Sequence, residues 1–368
     1  MVASVDYHFI AFHLPVINML NQNGYCVDIA SRFTNKDKPI TGANKQYDLP
    51  FERSPMKLAN IKAYKQLKCL ISENSYDIIH CHTPVASILT RLAARETRKQ
   101  GTKVIYTAHG FHFYKGASLL NWLVYYPIEK ACSYMTDVLI TINQEDYELA
   151  KRKMKTKRIE YVSGVGIDTK KYSDYVLDKN KKRSDLGIPE NATVVLSVGE
   201  VNKNKNHRVI ISAISKLKDL NIYFIIAGNG FLEFDLRKQA ITLGVVSKVL
   251  FLGFRNDLEE LYKVADIFCF PSKREGLPVA IMEAMASGLP IVCSDIRGNI
   301  DLVDNGKGGF LCTPNSPTDF CKAIDKLHTD KKVRNSMGEY NKSAIAKFSI
   351  ETVIAKILSV YAIMYEEK

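Results

Sequence analysis

The sequence predicts an α/β protein made of two doubly wound parallel sheets. Three observations carry that prediction. Short, nearly continuous apolar runs alternate with segments of helical periodicity. The runs fall into two series. A polar stretch rich in Lys and Asp separates the series at 164–192. A chain of 368 residues is also longer than one ordinary domain.

In the first series the strand-like runs are VASV (2–5), YCVDIAS (25–31), DIIHCH (77–82), KVIYTAH (103–109), VLITIN (138–143) and IEYVS (159–163). Amphipathic stretches such as 57–74 and 84–99 lie between them. VASV is short for a central parallel strand: either the strand is stunted or the natural protein has residues before it. In the second series the runs are TVVLSVG (193–199), YFIIAG (223–228), VLFLG (249–253), DIFCFPS (266–272) and PIVCSD (290–295). The break at 164–192 reads as a linker plus a short helix. The last twenty residues form a helix with Ser349 as its N-cap and Val353, Ile354, Ile357, Leu358 and Tyr361 on one face.

Composition limits the functions available. With 46% hydrophobic and 24% charged residues, the chain has the make-up of a soluble globular protein. Eight scattered cysteines without a CxxC, several inside strand-like runs, point to buried thiols in a reducing cytoplasm. No signal peptide and no membrane-spanning apolar run are expected. The net charge is +12, with 22 basic against 15 acidic side chains in residues 1–168 and its densest cluster at KRKMKTKR (151–158). Such a cluster suits an anionic membrane, an anionic ligand or nucleic acid, and equally a solvated helix face. No nucleic-acid-binding motif accompanies it. A nicotinamide-dependent oxidoreductase is excluded because no glycine follows VASV until Gly24, where GxGxxG is needed.

The stretch REGLPVAIMEAMASGLP (274–290) places Glu275 and Glu283 eight positions apart in apolar surroundings. Pro271 ends a strand and Pro278 suits the first turn of a helix, so the loop between them lies at the carboxyl edge of a sheet, where ligands bind. The helix is expected over 278–287. Free amides at Gly276 and Leu277, with the helix dipole behind them, suit a diphosphate. A carboxylate repels phosphate but accepts strongly from sugar hydroxyls. On spacing alone the pair reads equally well as one exposed loop acid and one helix-surface acid.

At this point the chain resembles the family 4 retaining glycosyltransferases of the GT-B fold. Their mark is a glutamate, seven residues and a second glutamate, which Glu275 and Glu283 fit. SVGEVNKNKNH (197–207) resembles the family's Gly-Arg…Lys segment, with Lys205 at the lysine that binds the donor diphosphate. IIAGNG (225–230) resembles its Gly-x-Gly strand end, and residues 251–295 its longest signature. The branch resembled is bacterial, with enzymes of capsule, exopolysaccharide and lipid-linked oligosaccharide assembly.

The resemblance implies two Rossmann-like domains facing across a cleft. Residues 1–168 would bind the acceptor and 169–348 the nucleotide-sugar, with the helix 349–368 packing back toward the first domain. It implies a UDP-sugar donor, a polyprenyl-diphosphate-linked or oligosaccharide acceptor, retention of configuration, and no cofactor or metal. Localisation would be cytoplasmic, peripheral on the anionic inner face of the membrane. Glu283 would hold the ribose and Glu275 the donor sugar. Gly276, Leu277 and Pro278 would cap the diphosphate beside Lys205. Gly230 would line the donor site, with Phe254 and Arg255 at the base. His109, in YTAHGFHF, would stand near the reacting centre.

The chain departs from the family pattern where Glu200 replaces an arginine. Either Lys203 takes over that charge or Glu200 turns toward Lys205; an enzyme-dead scaffold is the alternative this departure leaves. Relatives often have Gly-Gly and Glu where the loop DIRGNIDLV (295–303) has one glycine and Asp301. Among the other histidines, His80 and His82 share one strand face. With no third ligand visible nearby, zinc is not expected there. His8 and His13 read either as acceptor-side residues or as packing, and His207 as a helix starter. Trp122, Tyr125 and Tyr126 in ASLLNWLVYYPIEKACSY (117–134) would sit at a lipid–water boundary, aided by Lys62, Lys65 and Lys68.

Overall fold

The computed structural model describes residues 1–35, 39–217 and 221–366. It divides into two compact units, Met1–Gly166 with Ile350–Lys368, and Ile167–Ser349. Each unit is a parallel sheet with helices on its faces.

The strands of the first unit are β1 (Val2–Val5), β2 (Ile29–Arg32), β3 (Gln46–Asp48), β4 (Ile78–His82), β5 (Lys103–Ala108), β6 (Val138–Thr141) and β7 (Arg158–Tyr161). Their order is β3-β2-β1-β4-β5-β6-β7, all parallel. Strand alternation sends Val2, Ile79, Cys81, Val104 and Tyr106 into one core and Ala3, Ile29, Ile105, Val138 and Ile140 into the other. Both faces are covered, which is why the strands read as unbroken apolar runs. β1 has only four residues, yet it is central, pairing with β2 and β4.

The helix Ile350–Glu366 covers the second of these cores with Val353, Ile357, Val360, Tyr361 and Met364. Of the face named from sequence, Ile354 and Leu358 are only partly buried at its margin.

The second unit holds β8 (Thr193–Val198), β9 (Ile222–Ala227), β10 (Val249–Gly253), β11 (Ile267–Phe270), β12 (Ile291–Ser294) and β13 (Gly309–Cys312). Their order is β10-β9-β8-β11-β12-β13, again parallel. β3 and β13 are absent from the sequence-level strand assignment: QYD is three residues long and GFLC opens on a glycine.

The segment 164–192 is more than a linker with one helix. It carries the helices Thr169–Ser173 and Lys179–Asp185, and both pack within the second unit. Each starts at an aspartate, Asp168 or Asp178, whose side chain accepts from the amide three residues on.

Candidate functional site

In each sheet the strand order reverses between two neighbours, β1 and β4 in the first unit, β8 and β11 in the second. Such a switch point opens a crevice at the carboxyl ends of the strands. The sequence-derived site residues gather at these two edges.

In the second unit, Lys205 follows β8 and Glu275 follows β11. Lys205 Nζ lies 2.7 Å from Glu275 Oε1, with both side chains largely shielded from solvent. The ammonium also stands 4.6 Å over the Phe270 ring. Its stem runs beside Gly199, where a Cβ would come within 3.2 Å of Lys205 Cε. Glu275, and not Glu200, is therefore the partner of Lys205; Glu200 and Lys203 are exposed.

Pro278 is the N-cap of the helix Val279–Ala286, one residue inside each expected end. Among the described residues, the amides of Gly276 and Leu277 have no protein acceptor. The loop 295–303 closes against them: a Cβ on Gly298 would sit 2.4 Å from Gly276 O, and Arg297 Nε donates to Glu275 O at 3.3 Å. Only glycine fits at 298.

Glu283 is no surface acid. Tyr172 Oη donates to its Oε1 at 2.7 Å and Tyr262 Oη to its Oε2 at 2.8 Å. Burial raises its pKa, with the two hydroxyl donors opposing that rise. An ionised carboxylate has about four acceptor positions. Two are filled, leaving room for two more hydroxyls.

Gly230 has a packing role: a Cβ there would lie 2.2 Å from Val201 O, so the strand-end loops after β8 and β9 could not meet. Phe254 is 71% exposed, and its amide donates to Asn229 Oδ1. Arg255 is already engaged, donating through Nε and Nη2 to both oxygens of Asp257. That fork holds Asp257 down to about 2, helped by Lys182. His207 directly precedes the helix Arg208–Ile214 without a side-chain cap, and its Nδ1 is buried and unpartnered.

In the first unit, His109 lies after β5. His82 ends β4, His8 lies in the helix Tyr7–Phe12 after β1, and His13 joins that helix to the helix Leu14–Gln22. The expectation that His82 has no nearby third ligand is corrected here. His8, His13, His82 and His109 each bring a ring nitrogen within 4.8 Å of the others. Their chain positions span about a hundred residues, so only the sheet order brings them together. His80 is separate: its ring nitrogens lie 2.8 Å from Tyr361 Oη and 2.7 Å from Thr107 Oγ1. Desolvation lowers the pKa of all five, His8 to about 4 and His80 to about 3.

Thr83, between His82 and Pro84, has φ of 63°, an unusual value for a β-branched residue. Its Oγ1 ties β4 to β1, accepting from Ser4 N at 3.0 Å.

Beside these histidines a cavity of about 500 Å³ opens, with Phe12, Val85, Ile88, Val124 and Ile128 on its walls and Arg53 and His8 among its polar groups. The helix Leu119–Ser133 borders it. Trp122, Tyr125 and Tyr126 are partly buried against the first core, and Trp122 Nε1 donates to Tyr114 O. The expected outward aromatics are thus packed inward. Leu119, Leu120 and Leu123 are the exposed residues, at 81%, 68% and 74%.

Sequence reasoning missed Tyr172, Tyr262, Arg297 and Gly298. Gly298 alone left a signal, as the single glycine of its loop.

Known proteins match over the same two units. The family described as Glycosyl transferases group 1 matches residues 178–344, and that described as Glycosyl transferase 4-like matches residues 2–143. The glycosyltransferase-family protein EpsD of Bacillus subtilis (strain 168) is 36% identical, over 98% of this chain and 95% of its own. The UDP-Gal:alpha-D-GlcNAc-diphosphoundecaprenol alpha-1,3-galactosyltransferase of Escherichia coli is 32% identical, over 85% of this chain and 84% of its own. Among solved structures, Anabaena Alr3699/HepE in complex with UDP superposes with a TM-score of 0.80 at 20% identity, covering 98% of this chain and 99% of that one. With both halves matched and relatives of this identity aligned along nearly the whole chain, the protein belongs to the family 4 glycosyltransferases of the GT-B fold.

Proposed function

We propose that the protein moves a hexose or N-acetylhexosamine from a UDP-sugar to a hydroxyl of a polyprenyl-diphosphate-linked glycan, with retention of configuration. The observation that carries this reading is the Lys205–Glu275 pair beside the unpartnered amides of Gly276 and Leu277, with Glu283 clamped by two tyrosines in the same unit. A diphosphate arriving at those amides competes with Glu275 for the lysine. Glu275 is then released to accept from donor-sugar hydroxyls, and Glu283 accepts from the ribose. The UDP in the Anabaena structure and the undecaprenol-linked acceptor named for the Escherichia coli relative support the substrate classes.

In the step itself, the acceptor oxygen attacks the anomeric carbon from the face that the nucleotide leaves. The bond from that carbon to the β-phosphate oxygen breaks, and this oxygen takes the acceptor's proton. Lys205 and the two amides stabilise the growing charge on the diphosphate, so no metal ion is required at that position. The cavity beside His8, apolar with Arg53 among its lining residues, suits an acceptor of lipid and phosphate.

A thermal-shift panel tests the donor. UDP at a hundred times its Kd adds about 2.7 kcal/mol of stability. A shift with NAD and none with any nucleoside diphosphate at millimolar concentration overturns the reading. For a responding UDP-sugar, turnover with an undecaprenyl-diphosphate-linked sugar follows, and it persists in EDTA. Activity lost to EDTA and restored by Mg²⁺ overturns metal independence.

A further inference from the structure

The four-histidine cluster at the first switch point takes no part in the donor binding proposed for the second unit. Its geometry is specific. His8 Nε2 lies 3.1 Å from His13 Nε2, and His82 Nδ1 lies 3.3 Å from His109 Nε2. Nitrogens at about 2.0–2.1 Å from a tetrahedral zinc ion stand about 3.3–3.4 Å apart. The two observed separations lie near that edge, and no pair in the set exceeds 4.8 Å.

The surroundings fit as well. His13 and His82 are 5% and 1% exposed, so two of the four rings are shielded from solvent. His80, the neighbouring imidazole, has hydrogen-bond partners at both nitrogens and is excluded from the set. His82 and His109 stand at the ends of neighbouring strands, and His8 and His13 lie in and directly after the helix that follows β1, so the set is positioned before any ion arrives. His8 lines the open cavity, which provides a path of entry.

We propose that His8, His13, His82 and His109 form a binding site for one divalent transition ion of the zinc class. Four imidazole nitrogens suit zinc, nickel, cobalt or copper, and not magnesium or calcium, which take oxygen ligands. The site stands on the geometry of the first unit and does not depend on the donor reading.

The test uses tag-free, metal-stripped full-length protein titrated with Co²⁺. The expected result is one equivalent bound, with the intense visible bands of a tetrahedral complex, and displacement by one equivalent of Zn²⁺ that bleaches them. His13→Gln and His82→Gln should each weaken uptake by about 100-fold or more, with circular dichroism confirming the fold. His328→Gln, in the second unit, should leave uptake unchanged. If a buried variant unfolds, His8→Gln at the half-buried position makes the same comparison. A wild type that takes up no stoichiometric ion, that shows only a weak six-coordinate spectrum, or whose uptake survives these substitutions overturns the proposal. This readout is independent of turnover, so a failed donor assay and a failed metal site remain distinguishable.

Discussion

At the scale of single residues, the two glutamates that share one motif sit in opposite electrostatic settings. Glu275 is neutralised by Lys205 at the loop edge, whereas Glu283 is desolvated among tyrosines. Glu275→Gln removes the pairing charge but leaves Lys205 in place. UDP affinity should hold or rise while turnover falls about 100-fold; unchanged turnover would remove Glu275 from the chemistry. Glu283 has a raised pKa, and burial is its first cause. As pH falls from neutral, it therefore takes up its proton before an ordinary carboxylate does. On the proposed role of Glu283 as ribose acceptor, its ionised form is lost in that window, so the Kd for UDP should increase there in the wild type. Glu283→Gln should bind UDP about 10- to 100-fold more weakly and show no pH dependence over the same range. Isothermal titration across pH reads both effects, and a pH dependence that persists in the variant would assign it to another group.

At the scale of elements, the helix Lys179–Asp185 is fixed to the second sheet by one buried cation. Arg183 is 4% exposed and donates to Val264 O, Glu190 O and Ala192 O, and to Asp266 Oδ2 at 2.6 Å. Lys179 adds a contact to Asp266 Oδ1, and the Val194 amide donates to Asp266 Oδ2 at the start of β8. Burial alone would raise the Asp266 pKa, but the two cations outweigh it and the net shift is downward. A depressed carboxylate stabilises the fold above its ordinary pKa and loses that contribution as pH falls through the folded value. Arg183→Met leaves Asp266 short of a partner in the interior. It should cost about 3–5 kcal/mol, measured by urea unfolding of the second unit. A loss below about 1 kcal/mol would make the helix a passive connector.

For the molecule as a whole, we predict membrane docking by the first unit. Among the described residues, no helix is long and apolar enough to cross a membrane. Leu119, Leu120 and Leu123 are nonetheless exposed on one helix, and Lys151, Arg152 and Lys153 are exposed on another. Each basic residue near an anionic surface adds about 1 kcal/mol, so a few acting together give reversible binding. In liposome co-sedimentation the protein should need anionic lipid and should dissociate as salt rises. Replacing the three leucines by Ser, or the three cations by Gln, should each reduce binding severalfold. Protein that stays in the supernatant with anionic vesicles at low salt would favour a soluble acceptor.

The sequence by itself determined the parallel α/β series, because strands buried on both faces leave continuous apolar runs, as in TVVLSVG and PIVCSD. It also marked Glu275 and the Gly276–Pro278 turn, because a strand-to-helix loop of glycine, proline and acid is a local pattern; Lys205 was marked only by the family resemblance. Local pattern could not show that Lys205 and Glu275, seventy positions apart, are ion-paired. Nor could it show that Tyr172 and Tyr262 close on Glu283, or that Trp122 turns inward while Leu123 turns out. Tertiary structure decided these because the order of strands in a sheet is a long-range choice. The β1–β4 and β8–β11 neighbours bring distant strand ends to one edge. Four histidines scattered from position 8 to position 109 meet there for that reason alone.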